Sequence, residues 1–145
     1  MSTIVHQASG ASAYTRYHTS TFPSFESCGW FGRPDDSDHF GKDWSAITDE
    51  LLRIRNLQDD WDGEGAEAPQ IDLVDGAIAL AQMLKSKNVA PPDRVHASVN
   101  GTVYFEWYSP RGYCEIEVLS PITAELRFVR KGSNTTEVVE FRRQV

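Results

Sequence analysis

Four carboxylates crowd into the seven residues Asp59-Asp60-Trp61-Asp62-Gly63-Glu64-Gly65, and this is where the sequence comes nearest to a reactive constellation. Oxygen ligands at alternate positions followed by a glycine are what a calcium loop requires. Asp60, Asp62, Glu64 and Gly65 would supply its first, third, fifth and sixth positions. The bidentate glutamate needed at the twelfth position is replaced by Ile71, Ala68 stands at the ninth, and Pro69 stiffens the exit. The stretch therefore reads as a structural loop. Asp62-Gly63 and Gly65 make tight turns, and Trp61 is expected to plug the junction between the flanking helices.

The other reactive groups are sparser. Cys114 alternates with polar neighbours and reads as a core thiol, whereas Cys28 has His39 eleven residues on but no nucleophile signature around it. Asp35-Asp36-Ser37-Asp38-His39 reads as a solvated acidic stretch. Glu106, Glu115 and Glu117 resemble an acid–base set only until Arg94 and Arg127 are placed beside them. Alternating charge is the ordinary way to solvate an open sheet. No phosphate-cradling glycine loop and no Ser/His/Asp signature is present. No catalytic residue, metal or cofactor is expected.

The elements that carry these residues follow from hydrophobic period. Trp44, Ile47, Leu51 and Ile54 draw one helical stripe, with Asp43 or Ser45 as N-cap and Arg53 and Arg55 at the negative end of the dipole. Val74, Ala77, Ile78, Ala81 and Leu84 draw a second, with Asp72 as the expected N-cap, Asp75 completing a capping-box spacing, and Pro91-Pro92 preventing continuation. From Arg94 the period becomes two, through five segments separated by Asn100-Gly101, Ser109-Pro110-Arg111-Gly112, Ser120-Pro121 and Gly132-Ser133-Asn134. Facial parity excludes a two-residue Asn-Gly loop and requires three residues, Val99-Asn100-Gly101. It pairs Val95 with Phe105 and Arg94 with Glu106. Extended across the sheet, the rule gives one outer row of Arg94, Glu106, Glu115, Arg127 and Glu140. A second outer row reads His96, Tyr104, Glu117, Glu125 and Arg142. The predicted fold is α+β: a five-strand antiparallel meander with two helices on one face and one wet face. Residues 1–42, aromatic-bearing but without sustained period, form an irregular N-terminal arm, and residues 43–145 form the single α+β domain.

The chain of 145 residues is 40% hydrophobic and carries a net charge of −7, enough apolar content for a core and the wrong sign for wrapping a phosphate backbone. It has no apolar run of bilayer length and no charged-then-apolar signal segment, and two distant cysteines suit reduced thiols in the cytoplasm.

The elements WDGEGA (Trp61 to Ala66), Pro69, Pro91-Pro92, GTVYFEW (Gly101 to Trp107) and EIEV (Glu115 to Val118) resemble a group of small uncharacterised bacterial proteins. Those proteins carry a WDGxGA element, a proline pair and a "GGVxLEW…LEIEI" sheet. The resemblance covers about residues 57–118 and implies this fold and a bacterial origin, with no mechanism.

Elimination and charge together point to a non-enzymatic, cytosolic bacterial interaction protein, an acidic antitoxin-like or operon-partner-binding protein with a basic protein partner. Residues 35–67 hold eleven carboxylates against Lys42, Arg53 and Arg55, and such density speeds capture of a basic surface. Trp30 and Phe31, next to Asp35, Asp36 and Asp38, are the candidate partner-binding residues. The alternative is a small hydrolase or metal-dependent enzyme using residues 59–64; the third reading is a DNA-mimicking inhibitor. Neither bulk nucleic-acid binding nor membrane association is expected.

Overall fold

A computed structural model describes residues 43–143 and, as backbone, the strands within residues 4–9 and 12–19. In chain order the elements are β1 (Ile4–Ser9), β2 (Ser12–Thr19), α1 (Trp44–Arg55), α2 (Ile71–Ser86), β3 (Arg94–Ala97), β4 (Val103–Ser109), β5 (Gly112–Val118), β6 (Thr123–Arg130) and β7 (Thr135–Arg142). Strands β3 to β7 form the antiparallel meander that the period of two predicts, with both helices packed on one face. The arm is more regular than its sequence suggests. β1 and β2 form a hairpin, and β2 joins β7 in parallel, so the sheet has seven strands in the order β1-β2-β7-β6-β5-β4-β3. Thr, Tyr and Val give these segments β propensity without the alternation that would announce it.

Helix α1 begins where expected: Asp43 is its N-cap, and the carboxylate accepts the Ala46 amide at 2.8 Å. Helix α2 does not. Gln70 occupies its N-cap with no side-chain bond, which puts Asp72 inside the first turn. Asp75 is no capping-box member either; it accepts Arg55 Nε at 2.7 Å and ties α2 to α1. The acid has a stronger donor across the helix pair than its own backbone could offer.

The core joins Ile47, Leu51 and Ile54 of α1, Val74, Ala77, Ala81 and Leu84 of α2, and Phe105, Trp107, Ile116, Leu126 and Phe128 of the sheet. Two indoles also clamp the link from α2 to β3. Trp44 donates to Val89 O at 3.1 Å and Trp107 to Ala90 O at 2.9 Å, satisfying successive carbonyls just before Pro91-Pro92. The inferred register is observed for β3 through β6, including Val95 with Phe105, Arg94 with Glu106, and Glu115 with Arg127. Gly101 supplies the left-handed turn residue at φ +76°.

The last hairpin is shifted. Arg127 faces Val138 rather than Glu140, and Glu125 faces Glu140 rather than Arg142. The Ser133 amide closes on Arg130 O at 3.1 Å, and Ser133 Oγ accepts the Thr135 amide at 3.1 Å, so the turn ends two residues earlier than assumed. A slip of two preserves which side chains face the core, so hydrophobic patterning cannot detect it.

Helix α2 approaches the β5–β6 turn at a glycine. A methyl group at Gly76 would lie 2.5 Å from the Pro121 carbonyl oxygen, a backbone atom with little freedom to yield. Gly76→Ala should therefore destabilise the chain by about 1–3 kcal/mol despite alanine's better helix propensity. Urea midpoints measure it, and a stabilised variant would show that α2 and the turn are not in contact.

Candidate functional site

The 58–70 connection between α1 and α2 is built by its own carboxylates. Asp59 Oδ1 accepts the Ala68 amide at 2.9 Å, Asp60 Oδ1 accepts Gly65 N–H at 2.8 Å, and Asp62 Oδ1 accepts Glu64 and Ala66 N–H at 2.8 and 3.0 Å. Backbone bonds from Asp60 to Ala66 O and from Gly63 to Asp60 O complete the fold of the loop. Asp60 itself takes a left-handed backbone at φ 65°, a conformation aspartate tolerates better than most side chains. The aspartates that suggested calcium ligands thus spend an oxygen each on main-chain donors. Among the described residues no group of three or more His, Cys, Asp or Glu is arranged to hold a metal ion.

Trp61 does not plug the helix junction. It is 37% exposed, and Leu51, Ile54, Val74 and Ala77 fill the helix pair without it. Its indole N–H donates to Glu67 O at 3.2 Å, while the Glu67 amide donates to Val99 O at 2.9 Å in the β3–β4 turn. The two faces of one residue's backbone therefore connect Trp61 to Val99, which is 59% exposed. Trp61 itself stands in a loop with five carboxylates and no basic residue. Sequence reasoning places Trp61 wrongly because a lone tryptophan between two helices has burial as its cheapest outcome. Nothing in the period shows that the helices already fill their own interface.

On the sheet face opposite the helices, the glutamates are less wet than the alternating pattern implies. Glu106 and Glu125 are only 9% and 6% exposed. Arg127 supports this density: Nη1 reaches Glu115 Oε1 at 2.7 Å, Nη2 reaches Glu117 Oε2 at 2.9 Å, and Nε reaches Glu125 Oε1 at 2.9 Å. Burial works against the guanidinium charge, but the carboxylate bonds outweigh it and hold Arg127 well above its ordinary value. Tyr113 bridges the next pair, its hydroxyl lying 2.9 Å from Glu106 Oε1 and closer still to Glu115 Oε2. Burial first, then these two acceptors, push the phenol far above its usual range, so it stays protonated. His96 stacks on Tyr104, with ring centroids 5.3 Å apart. Its two nitrogens face Ala97 O at 3.2 Å and Glu106 Oε2 at 3.4 Å, the second an ion-pair distance without an aligned hydrogen bond. Arg127, Tyr113 and the glutamates they bond are held in one network rather than an array of outward carboxylates, while His96 Nε2 and Glu106 Oε2 are buried beside it without a hydrogen-bond partner among the described residues.

Neither a known protein family, nor a curated protein, nor a solved structure matches this chain. The assignment rests on geometry.

Of the residues singled out from sequence, Asp62, Gly63 and Gly65 form the loop's turns, the two glycines at φ +75° and +89°. Cys114 is buried in the core. Trp30, Phe31, Asp35, Asp36 and Asp38 lie outside the described residues, as do Cys28 and His39. The exposed Val99 beside the loop has no sequence signal beyond its place in a turn.

Two outcomes follow. The amides of Glu64 and Ala66 hold the Asp62 carboxyl below the usual carboxylate range. A depressed carboxyl stabilises the folded loop above its unfolded pKa of about 3.9, and that contribution is lost as pH falls through the folded value. Exchange of the Ala66 amide, corrected for intrinsic rate, should accelerate in this acid window while helix amides stay protected. In Asp62→Asn the acid step should vanish; an acid step that persists in this variant would assign it elsewhere. Arg127→Met should cost about 2–3 kcal/mol by leaving three carboxylates uncompensated, with Glu125→Gln in the same chain recovering part of it. Additive losses would show that the pair is not coupled.

Proposed function

We propose that this chain is a cytoplasmic, non-enzymatic interaction protein that captures a basic protein partner through the 58–70 loop. The observation that carries the reading is Trp61, held exposed by a loop whose aspartates are spent on fixing its backbone. A hydrogen-bonded loop loses little conformational freedom on binding, and an exposed tryptophan is among the commonest interface anchors. The surrounding carboxylates favour encounter with a positive surface and disfavour nucleic acid. Trp30 and Phe31, with Asp35, Asp36 and Asp38, extend the same acidic and aromatic chemistry along the sequence. Among the described residues no helix is long and apolar enough to cross a membrane.

An untagged pull-down from the source cells should yield one stoichiometric basic partner. Its association with the purified chain should slow as salt rises, because exposed charges act mainly on encounter. Trp61→Ala should speed dissociation roughly tenfold while shifting stability by only about 1 kcal/mol, the worth of one net hydrogen bond and a half-covered ring. Unchanged dissociation, or a loss of stability of about 3–5 kcal/mol typical of a core aromatic, would contradict the reading.

A further inference from the structure

We infer that the contact between His96 and Glu106 is a proton-operated latch on the edge strand β3, tightened in mild acid. β3 has a sheet neighbour on one side only, β4, with α1 packed on its inner face. On the outer face His96 Nε2 and Glu106 Oε2 lie 3.4 Å apart, both buried, and neither has a hydrogen-bond partner among the described residues. A buried carboxylate oxygen without a donor is costly, and most buried polar atoms have a partner. The pair thus stands out on a face whose other carboxylates are bonded.

The tautomer follows from the other ring nitrogen. Nδ1 lies 3.2 Å from Ala97 O, and a carbonyl only accepts, so Nδ1 carries the proton of the neutral ring. Nε2 then presents a lone pair to a carboxylate oxygen, two acceptors in contact with no proton between them. Glu106 gains little relief through its other oxygen. Oε1 shares the single Tyr113 hydroxyl proton with Glu115, which lies closer to it. A proton taken up on Nε2 supplies the missing donor and turns the contact into a charge-assisted bond between β3 and β4.

The neighbouring groups leave this proton to the imidazole. Arg94, on β3, holds its Nε 3.8 Å from Glu106 Oε2, but its side chain is 62% exposed, so its repulsion of an imidazolium is screened. Asp93, just before β3, accepts the Tyr108 amide at 2.7 Å. From β4, Tyr104 stacks on the ring and Tyr108 stands within the field of Glu106; from β5, Tyr113 bonds Glu106. Burial raises all three phenols above their usual range, so none of them titrates with the imidazole. The folded chain takes up the proton at a bond the unfolded chain lacks. Its stabilisation is therefore present on the acid side of neutrality and lost as pH rises.

Amide exchange of the full chain, corrected for intrinsic rate, tests this through Ser98, whose N–H donates to Thr102 O at 2.8 Å beside the β3–β4 pair. From about pH 8 to about pH 5, where imidazole takes up its proton, Ser98 exchange should slow relative to the amides of α2. The change should be about tenfold or more, as one bond to a charged group implies. Imidazole ¹⁵N spectra over the same range should show His96 Nδ1 protonated throughout and Nε2 gaining its proton. His96→Gln, which cannot titrate, should keep Ser98 exchange level across the range. Glu106→Gln, which keeps the shape without the charge, should remove most of the slowing. An amide spectrum unchanged at the alkaline end shows that each variant is folded, and the parent chain with His96→Gln suffices should Glu106→Gln not fold. Level exchange in the parent chain, or an acid slowing that survives in His96→Gln, would overturn the latch. A bare Nδ1 at the alkaline end would overturn the tautomer on which it rests.

Discussion

A loop between two helices must satisfy its own backbone, and here the solution depends on three aspartates. Asp59, Asp60 and Asp62 take four main-chain N–H groups across residues 64–68, so the connection between α1 and α2 is a hydrogen-bonded body rather than a slack linker. Everything nearby takes its position from that body. Ala66 is carried into a buried place, and Glu67 pairs with Asn100 in the β3–β4 turn. Trp61 is left outside because its indole finds an acceptor on the loop itself. The charge that makes the loop soluble also fixes its backbone, and a pre-organised loop gives up little conformational freedom when something binds it.

The sheet solves a comparable problem with opposite signs. Four glutamates on adjacent strands would repel one another if each stood alone, and directly opposed like charges destabilise a sheet. Arg127 bonds three of them and Tyr113 shares its hydroxyl between the two that face each other across β4 and β5, Glu106 and Glu115. Removing one partner from such a set costs more than its bonds contribute, because the remaining charges keep their desolvation penalty. This layer stabilises the register that brings the β3–β4 turn, and with it Val99, alongside the helix-connecting loop.

Much of the fold was legible because burial on one face imposes parity. The three-residue turn at Gly101, the pairing of Arg94 with Glu106 and the stripe of α1 all follow from which residues must face inward. Parity is blind to a slip of two residues, which is why the β6–β7 register escaped it; that register was decided by the serine bonds of the turn. The strands at Ile4–Ser9 and Ser12–Thr19 escaped it too, since their sequences do not alternate. At the candidate site, the turn chemistry of Asp62, Gly63 and Gly65 could be read, whereas the exposure of Trp61 could not. That exposure depends on how completely two helices fill their own interface, and composition does not report such a sum. The depth of Glu106 and Glu125 was hidden for the same reason: a charge row looks solvated until its counter-ions are placed.

The central claim is that residues 59–68 are a pre-built platform and not a loop that orders on binding. Backbone ¹⁵N relaxation of the free, full-length chain tests it most directly, with the Trp61 indole N–H followed in the same spectra. The account predicts order parameters across the loop equal to those of α1 and α2, near 0.85, and an indole proton protected by its bond to Glu67. Values below about 0.6 through Asp60 to Ala66, with a freely exchanging indole, would contradict it.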